Sequence, residues 1–258
     1  MKAQNLPNLA NKETYARADV VDYYQNLETL FQTEEILFEK LLLEIKNSKI
    51  LDLGVGGGRT TNYLLQITDD YVGIDYVSQV AEETGEKYPN AKILCCDARN
   101  LETFEDETFD FILFSYNGID YVSNEDRLKA LKEIYRVLKT GGTFMFSSHN
   151  REYKYFNKLP WHQNIKFNVK YFIFVLHCFY HLPKHFRMKK YEIYTDDYAI
   201  INDGDHRFSL LHYYISIDKQ NEQLTEIGFS GIEAYDIAGK LVERDNLSHW
   251  IYYLARKV

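Results

Sequence analysis

Two hundred and fifty-eight residues, 45% hydrophobic and 26% charged, fit one elaborated globular domain and exclude a disordered chain or a fibre. The net charge of −8 argues against indiscriminate nucleic-acid binding. Three cysteines, two of them adjacent at Cys95 and Cys96, cannot build a disulfide framework and suit a reducing cytosol. Charge and aromatics are unevenly spread. Residues 151–190 hold nine Lys or Arg against one acid, Glu152, so this aromatic-rich segment is +8 and the remainder −16.

Polar residues follow Met1 and Lys2 directly, without an apolar signal core. The longest apolar stretch, 167–182, is broken by Lys170, His177 and His181 and is too short to span a bilayer; a cytoplasmic protein is expected. Val20, Val21, Tyr24 and Leu27 recur at helical spacing, and Thr33 with Glu34 and Glu35 reads as the N-cap and first turn of a second helix to about residue 45. Strands are then expected at 49–53, 71–74, 91–96, 109–115 and 143–148. Helices are expected at 58–67, 78–88 and 124–138, the last stopped by Gly141-Gly142. This alternation predicts a doubly wound α/β domain with a mostly parallel sheet covered on both faces.

After His149 the pattern breaks. The spacing predicts a helix over 169–181 ended by Pro183, then two runs, 191–201 and 206–216, flanking Asn202-Asp203-Gly204-Asp205 as a hairpin. A helix at 218–227, stopped by Gly228, and strands at 232–237 and 249–255 complete a seven-stranded sheet. The organisation read from this is a helical lid (1–48), an α/β core (49–150), a basic aromatic cap (151–216) and a closing helix with strands (217–258).

The run Asp52-Leu53-Gly54-Val55-Gly56-Gly57-Gly58-Arg59-Thr60 leaves a strand and opens a helix, where glycines permit a sharp turn and close approach to a ligand. A P-loop needs glycine where Leu53 stands and lysine where Arg59 stands. A dinucleotide fingerprint needs a third glycine in place of Arg59 and has no use for Asp52 beside a pyrophosphate. An acid with spaced glycines fits a positively charged ligand instead, such as S-adenosylmethionine. Asp75 and Asp97 end the next two strands, where carboxylates can accept from a ribose diol and an adenine amino group.

Over residues 50–148, and weakly again from Tyr213 to Phe229, the chain resembles class I S-adenosylmethionine-dependent methyltransferases of the small-molecule type. The resemblance implies that Gly54, Gly56 and Gly58 surround the methionine part, and Asp52 is counted with them among the cofactor-binding residues. It puts Asp75 on the ribose, Tyr76 against the adenine ring, and Asp97 with Ala98 at the adenine. The run from Phe109 to Ser115 resembles the fourth strand, with Ser115 at the cofactor and Tyr116-Asn117 at the methyl-transfer mouth. The segment from Glu133 to Gly142 resembles the helix before the fifth strand. Val55, where the family often has a smaller residue or Cys, is a minor departure.

His149, at the end of the fifth strand, is the candidate base and acceptor contact, with a structural histidine as the competing reading. Cys95 and Cys96 read as strand fillers. His177, His181 and His185 share helical spacing but lack a flanking acid, so no metal site is expected. The activity implied is methyl transfer to an O or N atom of a small acceptor with apolar or aromatic bulk and an anionic group. The alternatives are an RNA-modifying enzyme, for which the basic insert would serve, and a non-catalytic cofactor-binding protein. Tyr116-Asn117-Gly118 lacks the signature of DNA amino-group methylation, so DNA is not expected. The insert could also rest on an anionic membrane surface. Oligomeric state is not legible.

Overall fold

The computed structural model describes residues 6–163, 165–166 and 168–258; Met1, Lys2 and Phe167 lie outside the described residues. The sheet core runs β3 (Lys92–Cys95), β2 (Tyr71–Asp75), β1 (Ile50–Leu53), β4 (Phe109–Phe114), β5 (Leu138–Asn150), β11 (Trp250–Lys257) and β9 (Phe229–Tyr235). The first five strands are mutually parallel and β11 is antiparallel to both its neighbours. This is the doubly wound, mostly parallel, seven-strand arrangement expected. β10 (Leu241–Val242) extends one edge, and β6 (Ile193–Tyr194), β7 (Tyr198–Ile201) and β8 (His212–Ile215) form a ribbon that joins the far end of β5.

Successive side chains of a strand point to opposite faces, and β1 shows what that does here. Leu51 and Leu53 enter one core layer with Leu131, Ile134 and Val137 of α6 (Asn124–Val137) and Leu224 of α9 (Ile217–Ile227). Ile50 enters the opposite layer with Leu37, Phe38, Leu41 and Ile45 of α3 (Gln32–Ile45). Burial on both faces favours apolar residues at successive positions, which is why β1 and β4 read as near-continuous apolar runs. The buried Arg127 guanidinium ties α6 to β5 and α9, donating to Asp120, Ser148 Oγ (3.1 Å) and Gln220 Oε1 (2.6 Å) under the Tyr213 ring.

Several expectations needed correction. A further helix, α1 (Leu6–Tyr15), precedes α2 (Ala18–Gln25). Its polar sequence hides it, and Asn11 anchors it through carbonyls of Tyr121 and Leu211, both at 2.8 Å. α3 is capped by Glu34, whose carboxylate accepts from the Phe31 amide (2.8 Å), while Thr33 donates to the Asp236 carbonyl instead. The helix expected over 58–67 shrinks to α4 (Thr61–Leu64), and α6 ends at Val137, before the Gly141-Gly142 turn that lies within β5. α7 runs through Pro183, from Val169 to Lys189, with Cys178 before the proline and His185 after it both buried. The hairpin strand 191–201 is itself folded into β6 and β7. The connection from β7 to β8 is long and carries α8 (Asp205–Phe208), with Asn202 bonded to His185 and Asp203 to His212, Tyr214 and the Asp205 amide. α5 (Ser78–Lys87) lies where expected.

Candidate active site

The carboxyl ends of β1, β2, β3 and β4 open into a cavity of about 450 Å³, roofed by α1 and α2 through Tyr15 and Tyr24. Gly54 and Gly56 both have positive φ (67° and 52°), and a Cβ on Gly57 would stand 2.4 Å from the Tyr24 carbonyl oxygen. Glycine here allows the turn and lets α2 lie directly on the loop. Asp75 is buried beside this loop, accepting from the amides of Val77 (3.0 Å) and Gly56 (3.2 Å). Burial raises its pKa to about 6, only partly offset by those amide bonds, and a carboxylate accepting two hydrogen bonds keeps lone pairs for a ligand in the cavity it lines.

Of the residues expected at the cofactor, Gly54, Gly56, Asp75, Tyr76, Asp97, Ala98 and Ser115 line this cavity. Gly58 does not: its position is taken up by the Tyr88 ring, which a Cβ would meet at 2.2 Å. Asp52 lies beneath the loop, where Thr60 Oγ1 (2.7 Å) and the Tyr71 hydroxyl (2.9 Å) both donate to it. It is a brace for the loop rather than a wall of the cavity. Asp97 is engaged by Arg99; half-burial pushes its carboxyl up, but the Arg99 side-chain and backbone hydrogen bonds outweigh this and hold it below the usual range.

Ser115 belongs to a group the sequence did not reveal. Glu34, fully buried at the start of α3, pairs with both terminal nitrogens of Arg59 and accepts from Ser115. Arg59 also donates to Ser115 Oγ (2.8 Å) and lies over the rings of Phe31 (4.6 Å) and Tyr116 (5.8 Å). The residue that departs from a dinucleotide fingerprint is therefore fixed by a buried ion pair.

Tyr116 and Tyr24 also line a second chamber of about 320 Å³, together with Arg17, Tyr23, Asp205, His206 and Arg207. His206, Arg207 and Phe208 all have positive φ (43°, 62° and 59°), a run that β-carbon sterics disfavour. It is braced by Asp203, which accepts from His212 Nδ1 (2.6 Å) and the Tyr214 hydroxyl (2.7 Å). His149 and Asn117, expected at the mouth, line neither cavity. His149 is buried, with Nδ1 on Asp120 (2.8 Å) and its other nitrogen 3.5 Å from the Asn117 amide. His149, Asp203 and His212 lie close enough together to be compared with a metal site. The two imidazoles stack 9° from parallel with centroids 4.9 Å apart, so no ion can lie in both ring planes at bonding distance. The geometry is that of two histidine–carboxylate pairs.

Residues 50–142 match the model of a methyltransferase domain. The chain is 34% identical over 113 residues to the sterol 4-C-methyltransferase strm-1 of Caenorhabditis elegans, covering 42% of this chain and 32% of that protein. It is 32% identical over 148 residues to demethylmenaquinone methyltransferase of Staphylococcus aureus, covering 52% of this chain and 60% of that one. The matches thus span between a third and three fifths of these relatives' lengths. Among solved structures, the 1,6-didemethyltoxoflavin-N1-methyltransferase of Burkholderia thailandensis, with its substrate and S-adenosylhomocysteine bound, superposes with a TM-score of 0.60 at 16% identity, over 97% of this chain and 88% of that one. Residues 50–142 are thus similar to a methyltransferase domain, and the fold is that of the S-adenosylmethionine-dependent methyltransferases on which the chain superposes.

The ion pair at the head of α3 is open to a direct test. Glu34→Ala leaves the Arg59 guanidinium buried without its partner, and the expected cost is about 3–5 kcal/mol in a denaturant titration. Replacing both residues with apolar side chains of similar size is expected to cost less than the single change.

Proposed function

We propose that the protein transfers a methyl group from S-adenosylmethionine to the nitrogen of a small amine that also carries an anionic group. The observation that supports this best is the pair of adjoining cavities whose shared wall is Tyr24 and Tyr116. In the first, the buried Asp75 has acceptor capacity for a ribose diol. Tyr76 and Ala98 flank the slot for the adenine, and Gly54 and Gly56 leave room for the methionine part. Bound there, S-adenosylmethionine supplies a methyl group on a positively charged sulfur, already activated for displacement. The chain's own task is then to align the acceptor and exclude water.

The second chamber is lined by ring faces, two carboxylates and two guanidiniums, with no aliphatic side chain. Tyrosine rings beside the Asp205 carboxylate suit an ammonium. Arg17, which pairs with Asp19 (2.6 Å), and Arg207, 3.5 Å from the same carboxylate, are the chamber's cations for a carboxylate or phosphate at the other end of the molecule, which would compete with Asp19 for them. In this reading the anion meets Arg17 of the N-terminal segment and Arg207 of the cap, and the aromatic contact is with Tyr23, Tyr24 and Tyr116. An ammonium must lose its proton before its nitrogen can form the new bond to carbon as the methyl's bond to sulfur breaks, the electron pair staying on sulfur. His206 lines the chamber and is the proton acceptor of this reading; burial, opposed by the nearby Asp205, lowers its pKa and so favours the neutral imidazole.

Cofactor affinity is expected to depend on pH through Asp75. Its pKa in the folded protein is about 6, raised by burial, and ribose hydroxyls donate to the ionised form. Affinity for S-adenosylhomocysteine, read by calorimetry, should therefore be full above that pKa and fall as pH drops through it; Asp75→Asn should flatten the dependence and weaken binding at neutral pH. For the acceptor, Arg207→Gln should raise KM for amino-alkyl phosphates by roughly ten- to a hundredfold, the value of a lost charged hydrogen bond, and leave cofactor affinity unchanged. Equal turnover of an uncharged amine by the unaltered protein would contradict the assignment of the anion site.

A further inference from the structure

Beyond the methyl-transfer reading, and independent of it, stands an unexplained surface on α7 (Val169–Lys189). One stripe of this helix faces the body: Tyr171, Val175, Cys178, Leu182 and His185 are half-buried or buried, at spacings of three and four residues. The opposite side is also apolar. Val169, Ile173, Leu176 and Tyr180 follow the same spacing and are 74%, 61%, 69% and 80% exposed, with Phe172 and Phe179 alongside. A contiguous apolar face of this size on a water-facing helix marks a surface with a partner.

The charge around it selects the partner. Between Tyr153 and Lys190 there is no acid, while Lys166 and Lys170 flank one end of the helix and Lys184, Arg187, Lys189 and Lys190 the other. The centre of the helix carries no Lys or Arg. Long cationic side chains at both ends can reach lipid headgroups while the rings between them enter the acyl boundary. The rest of the chain, at −16, is repelled by an anionic surface and so turns this face toward it. A second copy docked by two-fold symmetry would instead bring one +8 segment against another. Among the described residues no helix is long and apolar enough to cross a membrane, so a spanning role for α7 is not in play.

We propose that α7 docks this protein on the surface of an anionic lipid bilayer. Docking there sets the acceptor chamber close to the membrane: His185 of α7 bonds Asn202 and packs on Phe208, and Lys184 bonds Ser209, around the α8 turn that presents His206 and Arg207 to the chamber.

The test is flotation of the full chain with vesicles of phosphatidylglycerol and phosphatidylcholine in equal parts, beside vesicles of phosphatidylcholine alone. The protein is expected to float with the anionic vesicles at low salt and to be released by high salt. A triple variant, Ile173→Ser, Leu176→Ser and Tyr180→Ser, changes only exposed side chains and should keep its melting temperature while losing vesicle binding by roughly tenfold or more. Lys170→Gln with Lys189→Gln and Lys190→Gln should weaken binding to the anionic vesicles selectively. No flotation of the unaltered protein at low salt would overturn the proposal. So would equal flotation of the triple variant, or a sedimentation result in which the unaltered chain is a dimer and the triple variant a monomer, since a second copy would then cover the face.

Discussion

The Arg59–Glu34 ion pair is the constraint on which the site depends. It joins the glycine loop to the head of α3 and, through Ser115, to the end of β4. Taking two charges out of water is costly, and here the cost is met by geometry: both terminal nitrogens of Arg59 are paired, and the remaining capacity of Glu34 is used by the Phe31 amide and Ser115. The same guanidinium lies under the ring of Tyr116, the residue that stands between the two cavities. Fixing Arg59 therefore fixes the wall between the two cavities.

Around that wall the chain folds three distant segments into one enclosure. The roof comes from α1 and α2, the floor from the strand ends, and the far side of the second chamber from α8. The α8 turn is held in a disfavoured left-handed run, and its brace is polar: Asp203 accepts from both His212 and Tyr214. Burial opposes ionisation of Asp203, but the charge of the adjacent His212 together with those bonds holds its carboxyl far below the usual range. Strain of this kind persists where surrounding contacts over-determine it, and here it delivers His206 and Arg207 to the chamber.

What could be read in the sequence was what local pattern encodes. The central strands are buried on both faces, so they appear as apolar runs, and the glycine loop and the acids at Asp75 and Asp97 sit at the ends of successive strands. What could not be read depends on contacts between distant residues. Glu34 looks like a first-turn acid until Arg59, 25 positions on, is placed against it. His149 ends the right strand, but its imidazole is turned onto Asp120 and away from both cavities. Arg17 and Arg207 are ordinary surface arginines in the sequence, and only folding brings them to one chamber. Pro183 signals a helix end, yet burial on either side of it carries α7 through.

The central claim is that the cavity between the glycine loop and the N-terminal helices holds the methyl donor. Hydrogen–deuterium exchange of the full chain with and without S-adenosylhomocysteine tests it most directly. The account predicts added protection in the glycine loop, at the ends of β2 and β3, and in α1 and α2, whose residues form the roof. Protection confined to other parts of the chain, or none at saturating ligand, would contradict it.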